Sequence, residues 1–207
     1  MSGKTYIDRR TLRRQETLAE IVDASWDLVR EHGLSGLSMR DLGERVGMRA
    51  QSIYSYFASK NEIYDAMFHE GYRAFATSTG QALEGGETPS DQRSTARLMA
   101  RTFFEFCTSD PVRYQLLFQR TIPGFEPSPE SWAVAVEAYE HYRALLAGVD
   151  IHDQETLDLW TALLTGLADQ QISNDPGGDR WERLVDRAVD MLLTHAQMHT
   201  STESEKA

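Results

Sequence analysis

Between residues 13 and 83 the apolar positions recur every three or four residues, with polar side chains filling the intervals, which is the period of a helix rather than of a strand. Leu18, Ile21, Val22, Trp26 and Val29 lay one stripe along a helix expected from about Arg13, and Gly33 supplies the flexible position just past its end. Residues 34–37 read as a connector. Ser38 is placed to cap a second helix, with Asp41 three residues on; Leu42 and Val46 give that helix an inward face and Gly47 ends it. A third, short helix is expected over about 50–57, with Ile53 and Phe57 on one side. Ser59 caps a fourth, which carries Ile63, Met67 and Ala74 to about Leu83.

The glycine- and proline-bearing stretch 85–90 predicts a break. Leu98, Phe103, Phe104 and Phe106 follow on a helix stopped near Asp110 and Pro111, and Leu116, Leu117 and Phe118 belong to a shorter one. Three prolines in residues 121–129 remove donors and clash with preceding turns, so no helix continues there. Helices are expected from about 130 to 146, from 156 to 171 and from 180 to 198. No window alternates long enough to require a sheet, and the predicted fold class is all-α.

Composition narrows the chemistry. With 207 residues and 41% apolar composition, the chain is long enough for one moderately large core or for a small module joined to a larger one. One cysteine, Cys107, excludes an internal disulfide and sits among Phe103, Phe104 and Phe106 as a small buried side chain. No apolar run reaches membrane-spanning or signal-peptide length, so a cytoplasmic protein without a membrane partner is expected. Neither a nucleotide loop nor a nucleophile elbow is present, and the six histidines make no strong metal motif. The expectation is no enzyme, no cofactor and no metal.

The net charge of −11 argues against nucleic acid until its distribution is seen. Residues 1–60 hold ten Lys or Arg against eight Asp or Glu, a balance of +2, whereas residues 61–207 carry −13. A slightly basic amino-terminal module thus precedes a strongly acidic body, and only the module is a candidate footprint on DNA.

Residues 38–57 have what a DNA-reading helix-turn-helix needs. Leu42, Val46, Met48, Ile53 and Phe57 can close a small core against Ile21, Val22 and Trp26, while Gly47 permits the tight turn between two helices. Arg49, Ala50, Gln51, Ser52 and Ser55 then face outward. In a major groove Arg49 can donate to guanine, Gln51 can pair with adenine, Ala50 can meet a thymine methyl and Ser52 can bond a base or a phosphate. Arg40, Tyr54, Tyr56 and Lys60 suit backbone positioning, with packing beneath the turn as the alternative for the two tyrosines and simple exposure for Lys60.

In this combination, residues 14–68 resemble the amino-terminal module of the TetR family of bacterial one-component regulators. The resemblance rests on the helix ending His32-Gly33, on the Ser38-Met39-Arg40-Asp41-Leu42-Gly43 opening, and on Gly47 through Lys60 with its Ile53-Tyr54-Ser55-Tyr56-Phe57 core. It implies that Arg40 and Arg49 through Ser52 approach bases, and that Ser38, Tyr54, Tyr56 and Lys60 meet phosphates. Arg49 stands where many members carry a small hydroxyl residue that caps the helix. The domains expected are a flexible arm (1–12), a DNA-binding domain (13–60), a helical effector-binding and dimerisation domain (61–200) and a flexible tail (201–207).

Past residue 68 the resemblance weakens, although the run 118–128 and residues 160–167 look like actinobacterial members. Phe103, Phe104, Phe106, Leu116, Phe118, Trp132, Tyr139 and Tyr142 can line an apolar effector cavity or simply fill a core. Leu157, Trp160, Leu164 and Leu167 form one late stripe, and Leu184, Ala188, Met191, Leu192 and His195 another. Shared between the monomer's own core and a second copy, they suit a four-helix bundle, and the resemblance implies a homodimer. The partners expected are double-stranded operator DNA, a second copy of the chain and a small-molecule effector of unknown identity. The function expected is a repressor released by an apolar or amphipathic effector, with a ligand-independent repressor or activator as the alternative.

Overall fold

The computed structural model describes residues 9–84, 89 and 91–204, the side chains of Glu84 and of residues 197–204 excepted. Residues 1–8 of the expected arm, most of the expected break at 85–90 and the end of the expected tail lie outside the described residues. Within them the regular elements are helical: α1 (Arg9–His32), α2 (Met39–Arg45), α3 (Ala50–Ile53), α4 (Lys60–Glu84), α5 (Gln92–Ser109), α6 (Pro111–Phe118), α7 (Pro129–Ala147), α8 (Gln154–Asn174) and α9 (Val185–Ser204), with single 3-10 turns at Leu34–Gly36 and Glu182–Leu184. The all-α expectation holds. The described part of α1 already includes Arg9, four residues before the expected Arg13, and α9 runs through residues 201–204; neither stretch contains a glycine or proline. Helix α3 is shorter than expected, its last turn giving way to a hydrogen-bonded turn at 54–56.

Two compact units divide the chain, one built from residues up to Glu70 together with Leu116–Trp132, the other from Gly71–Gln115 together with residues from Ala133 onward. The first unit therefore extends beyond the helix-turn-helix. Its core takes Ile21, Val22, Trp26, Leu28 and Val29 from α1, Leu42 from α2, Ile53 from α3 and Ile63 and Met67 from α4. The connector after α1 is itself buried at Leu34 and Leu37, and the Tyr64 hydroxyl donates to the Leu34 carbonyl at 2.5 Å. Trp26 donates its indole N–H to Glu70 at 3.3 Å. Burial raises the Glu70 pKa, and the Trp26 hydrogen bond opposes that rise.

The proline-bearing segment after α6 is tied to the same unit by one carboxylate. Asp65 accepts from the Ser128 backbone N–H at 2.7 Å, the Ser128 hydroxyl at 2.8 Å and the Ser131 hydroxyl at 2.9 Å. Phe125 meets Tyr64 and Phe68 edge-on, with ring centroids 5.8 and 6.3 Å away. A segment that cannot be helical thus satisfies its polar groups on α4.

In the second unit α5, α8 and α9 pack on one another. Asp91 and Asp153 cap α5 and α8 by accepting from the Ser94 and Thr156 backbone N–H groups, and each capping bond holds its carboxyl below the usual range. The buried Gln171 side chain closes the α8–α9 turn. Its amide donates to the Gly178 carbonyl at 3.0 Å, and its oxygen accepts from the Trp181 N–H at 2.9 Å. Cys107 is fully buried, which pushes its thiol pKa up and makes it a packing residue. Among the described residues no helix is long and apolar enough to cross a membrane.

Across the α5–α9 contact, Arg97 grips Asp190 with two bonds of 3.0 and 2.6 Å, and Arg101 pairs with Asp186. The Arg97 hydrogen bond, ahead of the smaller charge effects, holds Asp190 below the ordinary aspartate pKa. Stability from this pair is complete above the unfolded value near ~3.9 and is lost as pH falls through the lower folded value. We expect Asp190→Asn to cost roughly 1 kcal/mol at neutral pH, with the melting-temperature gap to the parent narrowing in the most acidic buffers that both chains survive. Thermal melts across that range check it, and a gap that stays constant would contradict the pairing.

Candidate DNA-binding site

Helix α2 begins where the sequence places it. The Ser38 hydroxyl accepts from the Asp41 N–H at 3.1 Å, and Leu42 on the next turn is fully buried. On the same buried side, Gly43 lets the next segment cross close by. A Cβ built there would stand 2.8 Å from the Met48 carbonyl oxygen and 3.1 Å from the Ala50 nitrogen. The Met48 N–H donates to the Gly43 carbonyl at 2.8 Å, fixing the crossing. Gly47, with φ of 68°, adopts the left-handed conformation that reverses the chain. Sequence alone singles out Gly47 and not Gly43, since a glycine required by close approach looks like any other until its neighbour across the crossing is known.

The third helix emerges from this turn with Arg49 at its N-cap position. Its backbone is extended (φ −72°, ψ 143°) and its side chain makes no capping bond, which leaves the guanidinium exposed and available. Ile53 and Phe57 point inward at 0% and 7% exposure. The opposite side presents Arg49, Gln51, Ser52 and Ser55 to solvent, with Ala50 half-buried. Val46 and Met48 are also only half-buried, contributing less to the core than their apolar character suggested.

Around this face lie the residues expected on the DNA backbone. Tyr54 is 48% exposed, which rules out packing beneath the turn. Tyr56 is half-buried and carries the Arg14 guanidinium 4.9 Å above its ring. Arg14 also donates to the Ser55 carbonyl at 3.3 Å, while the Ser55 hydroxyl donates to the Ser52 carbonyl at 2.7 Å. Lys60 is exposed as the first residue of α4, whose start is closed by Ser59 accepting from the Glu62 N–H at 3.2 Å and by the Glu62 carboxylate accepting from the Ala58 N–H at 2.6 Å. Among the described residues, no ion pair holds Arg49 or Lys60. Arg40, by contrast, is exposed but paired with Glu44 at 3.1 Å and must exchange that carboxylate to reach a base. Arg45 is turned away to Glu31 on α1 at 2.6 Å, and its hydrogen bond holds Glu31 below the usual carboxylate range.

The expected effector residues do not form one set. Phe103, Phe104 and Phe106 on α5 and Tyr142 on α7 are buried in the second unit. Phe75 of α4, which the sequence pattern does not single out, is central to this cluster. Its ring centroid lies 6.0 Å from Phe103, 5.2 Å from Phe106 and 5.4 Å from Tyr142. The Tyr142 hydroxyl accepts from the Trp160 indole at 3.1 Å, and burial raises its pKa. Leu116 and Phe118 belong to the first unit. Trp132 and Tyr139 are corrections, being 57% and 42% exposed: the inward stripe of α7 is Ala135, Ala138, Tyr142 and Leu146, which turns both rings outward.

The late stripes need a similar correction. Leu157, Trp160, Leu164, Ala188 and Leu192 are at most 7% exposed, so their packing within one chain consumes most of the surface expected to meet a partner. Leu167 and Leu184 are half-buried, and His195 is exposed. The other face of the same helices carries Leu159 at 41% and Met191 at 64% exposure. With Leu163, Arg187 and His195 these line an open groove of about 700 Å³. Met191 is thus the residue of the expected interface that is most exposed.

A short reading helix with a polar outer face, crossed by a supporting helix and locked on a small core, defines a helix-turn-helix DNA-binding module. The model of the family described as bacterial regulatory proteins, tetR family, matches residues 21–67. An HTH-type transcriptional regulator of Mycobacterium tuberculosis, Rv1816, is 26% identical over 187 residues, covering 84% of this chain and 76% of that protein. Among solved structures, the regulatory protein SCO4313 superposes with a TM-score of 0.71 at 22% identity, covering 91% of this chain and all of that one. FadR of Bacillus subtilis, solved with stearoyl-CoA, superposes at 0.61 and 16% identity, covering 84% and 96%. Residues 21–67 thus form a DNA-binding module of the tetR family, and over most of its length the chain is similar to HTH-type transcriptional regulators.

The crossing at Gly43 makes a direct forecast. Gly43→Ala pushes a methyl into backbone rather than into a flexible side chain, so it should cost about 1–3 kcal/mol and weaken DNA binding without altering any DNA-facing atom. Melting and binding assays on the same preparation check this, and parental affinity in the variant would contradict the role given to the crossing.

Proposed function

We propose that two copies of this regulator read an approximately palindromic operator and repress from it until an apolar or amphipathic effector releases them. The observation that carries the DNA half is the division of α3 and its flanks, Ile53 and Phe57 inward and Arg49, Gln51 and Ser52 outward. Arg49 through Ser52 read base edges in the major groove, joined by Arg40 once it leaves Glu44. Ser38, Tyr54, Ser55, Tyr56 and Lys60 hold phosphates and fix the register. Dimerisation uses the outward face of α8 and α9 around Leu159, Met191 and His195, so that two heads fall in successive major grooves about 34 Å apart.

The effector site is assigned to the aromatic cluster of Phe75, Phe103, Phe106 and Tyr142, where a long apolar ligand would enter by displacing ring-to-ring contacts. The stearoyl-CoA bound to FadR, a protein of like fold, makes fatty acyl thioesters the first ligands to try. Binding shifts the operator equilibrium only as far as the ligand prefers the DNA-free state. Because the rings already fill much of the space between them, a ligand-independent regulator is the competing reading.

Gln51→Ala is expected to change the ranked set of duplexes selected from random DNA. An unchanged ranking would remove Gln51 from the reading set. Lys60→Gln should weaken all sequences alike and lower the slope of log affinity against log salt by about 0.9 for each phosphate no longer neutralised, read by fluorescence anisotropy in a salt series. Titrating stearoyl-CoA into the operator complex separates the two regulatory readings. Release that is weakened by Phe103→Trp supports effector control, whereas a complex indifferent to acyl thioesters of every chain length supports the ligand-independent reading.

A further inference from the structure

Helix α1 carries a cluster that helix physics disfavours. Arg9, Arg10, Arg13 and Arg14 stand within six residues of one another along its described beginning. The pairs Arg9/Arg13 and Arg10/Arg14 are at like-charge i,i+4 spacing, which destabilises a helix. Something other than helix stability accounts for this choice of residues.

The positions of these arginines supply the reason. All four, with Thr17 and Tyr56, line a groove of about 620 Å³. Arg14 anchors that groove to the reading head through the Ser55 carbonyl and the Tyr56 ring. Arg9, Arg10 and Arg13 are exposed and have no ion pair among the described residues. Arg40, Arg45, Arg93, Arg97, Arg101 and Arg143, by contrast, are paired with carboxylates. Three guanidiniums without a carboxylate are thus gathered beside the turn that follows the reading helix.

We infer that this groove is a second DNA contact, in which Arg9, Arg10 and Arg13 grip backbone phosphates flanking the bases read by α3. Guanidinium presents planar paired donors that match phosphate oxygens, and anions seated among the arginines offset the mutual repulsion of their charges. The contact carries no sequence information. It lengthens the footprint and adds salt-sensitive affinity. Arg14 is the positioning residue, holding the groove against Ser55 and Tyr56. The inference rests on the assignment of α3 as the base reader.

The test compares the parent with an Arg9→Gln, Arg10→Gln, Arg13→Gln triple variant and with Arg10→Gln alone. Each is titrated with a selected operator duplex in two lengths, one trimmed to the bases read by the heads and one carrying about 5 bp more on each side. On the long duplex the triple variant should bind about 10-fold or more weakly near physiological salt, its salt slope falling by about 0.9 for every phosphate it ceases to neutralise. Arg10→Gln should fall between, the order of preferred sequences should stay the same, and the difference should vanish on the trimmed duplex. Parental affinity and slope in the triple variant would overturn the inference while leaving the reading head standing. So would a deficit undiminished on the trimmed duplex, or a changed sequence ranking, which would mean that the arginines touch bases. A parent that selects no sequence at all would overturn the reading head and the inference together.

Discussion

The reading head depends on one close approach of backbone to backbone. Helix α3 is four residues long, far below what sustains a helix in water, because a single turn fixes several dihedrals for very few hydrogen bonds. Its shape is therefore imposed from outside. The absent side chain of Gly43 lets the segment beginning at Met48 come near enough for the Met48 N–H to reach the Gly43 carbonyl. The left-handed Gly47 turns the chain, and Ile53 is then fully buried, as Ile21 and Leu42 are. With the crossing in place, Arg49, Gln51 and Ser52 are rigidly presented because Ile53 and Phe57 are fixed on the other side. Without it they are polar residues on a loop.

That dependence explains which parts of the fold are legible in the sequence. A cap is a local event, so Ser38 and Ser59 can be read from their own spacing, and the prolines of 121–129 announce a non-helical stretch. The inner residues of the head are legible for a related reason: Ile21, Val22, Trp26, Leu42 and Ile53 lie on elements that each have one apolar side. Gly43 is not, since its meaning comes from an atom five residues away across a crossing. The expected start of α1 falls inside the described helix because clustered arginines suggest an unstructured arm, although arginine is a good helix former.

In the body, periodicity gives the side of each helix but not its neighbour. Helix α8 has apolar residues on two faces, one with Leu157, Trp160 and Leu164 and another with Leu159 and Leu163, and the sequence pattern, which shares the first between the chain's own core and a second copy, cannot tell that the chain itself buries it. Tyr139 and Tyr142 are three residues apart on α7 and end up on different sides, since only Tyr142 follows the Ala135–Ala138 stripe. Phe75 escapes notice because the pattern of α4 is set in its amino-terminal half, by Ile63 and Met67. Asp65 is hidden for a different reason. A carboxylate that gathers three hydrogen bonds from Ser128 and Ser131 joins residues more than sixty positions apart.

Charge shows the same distinction between a total and a place. A chain of net charge −11 binds a polyanion only if its charges act locally, and physiological salt screens exposed charges beyond about 8 Å. What matters at the DNA is thus the side chains within one such length of a phosphate. Several carboxylates in the first unit are engaged: Glu31 with Arg45, Glu44 with Arg40, Glu62 with the Ala58 N–H, Asp65 with two serines. Each commitment keeps a negative charge partnered within the protein, while Arg49 and Lys60 are left without a carboxylate among the described residues. A head only +2 in formal charge presents cations where they count because the exposed Arg49 and Lys60 lie beside the outer face of α3.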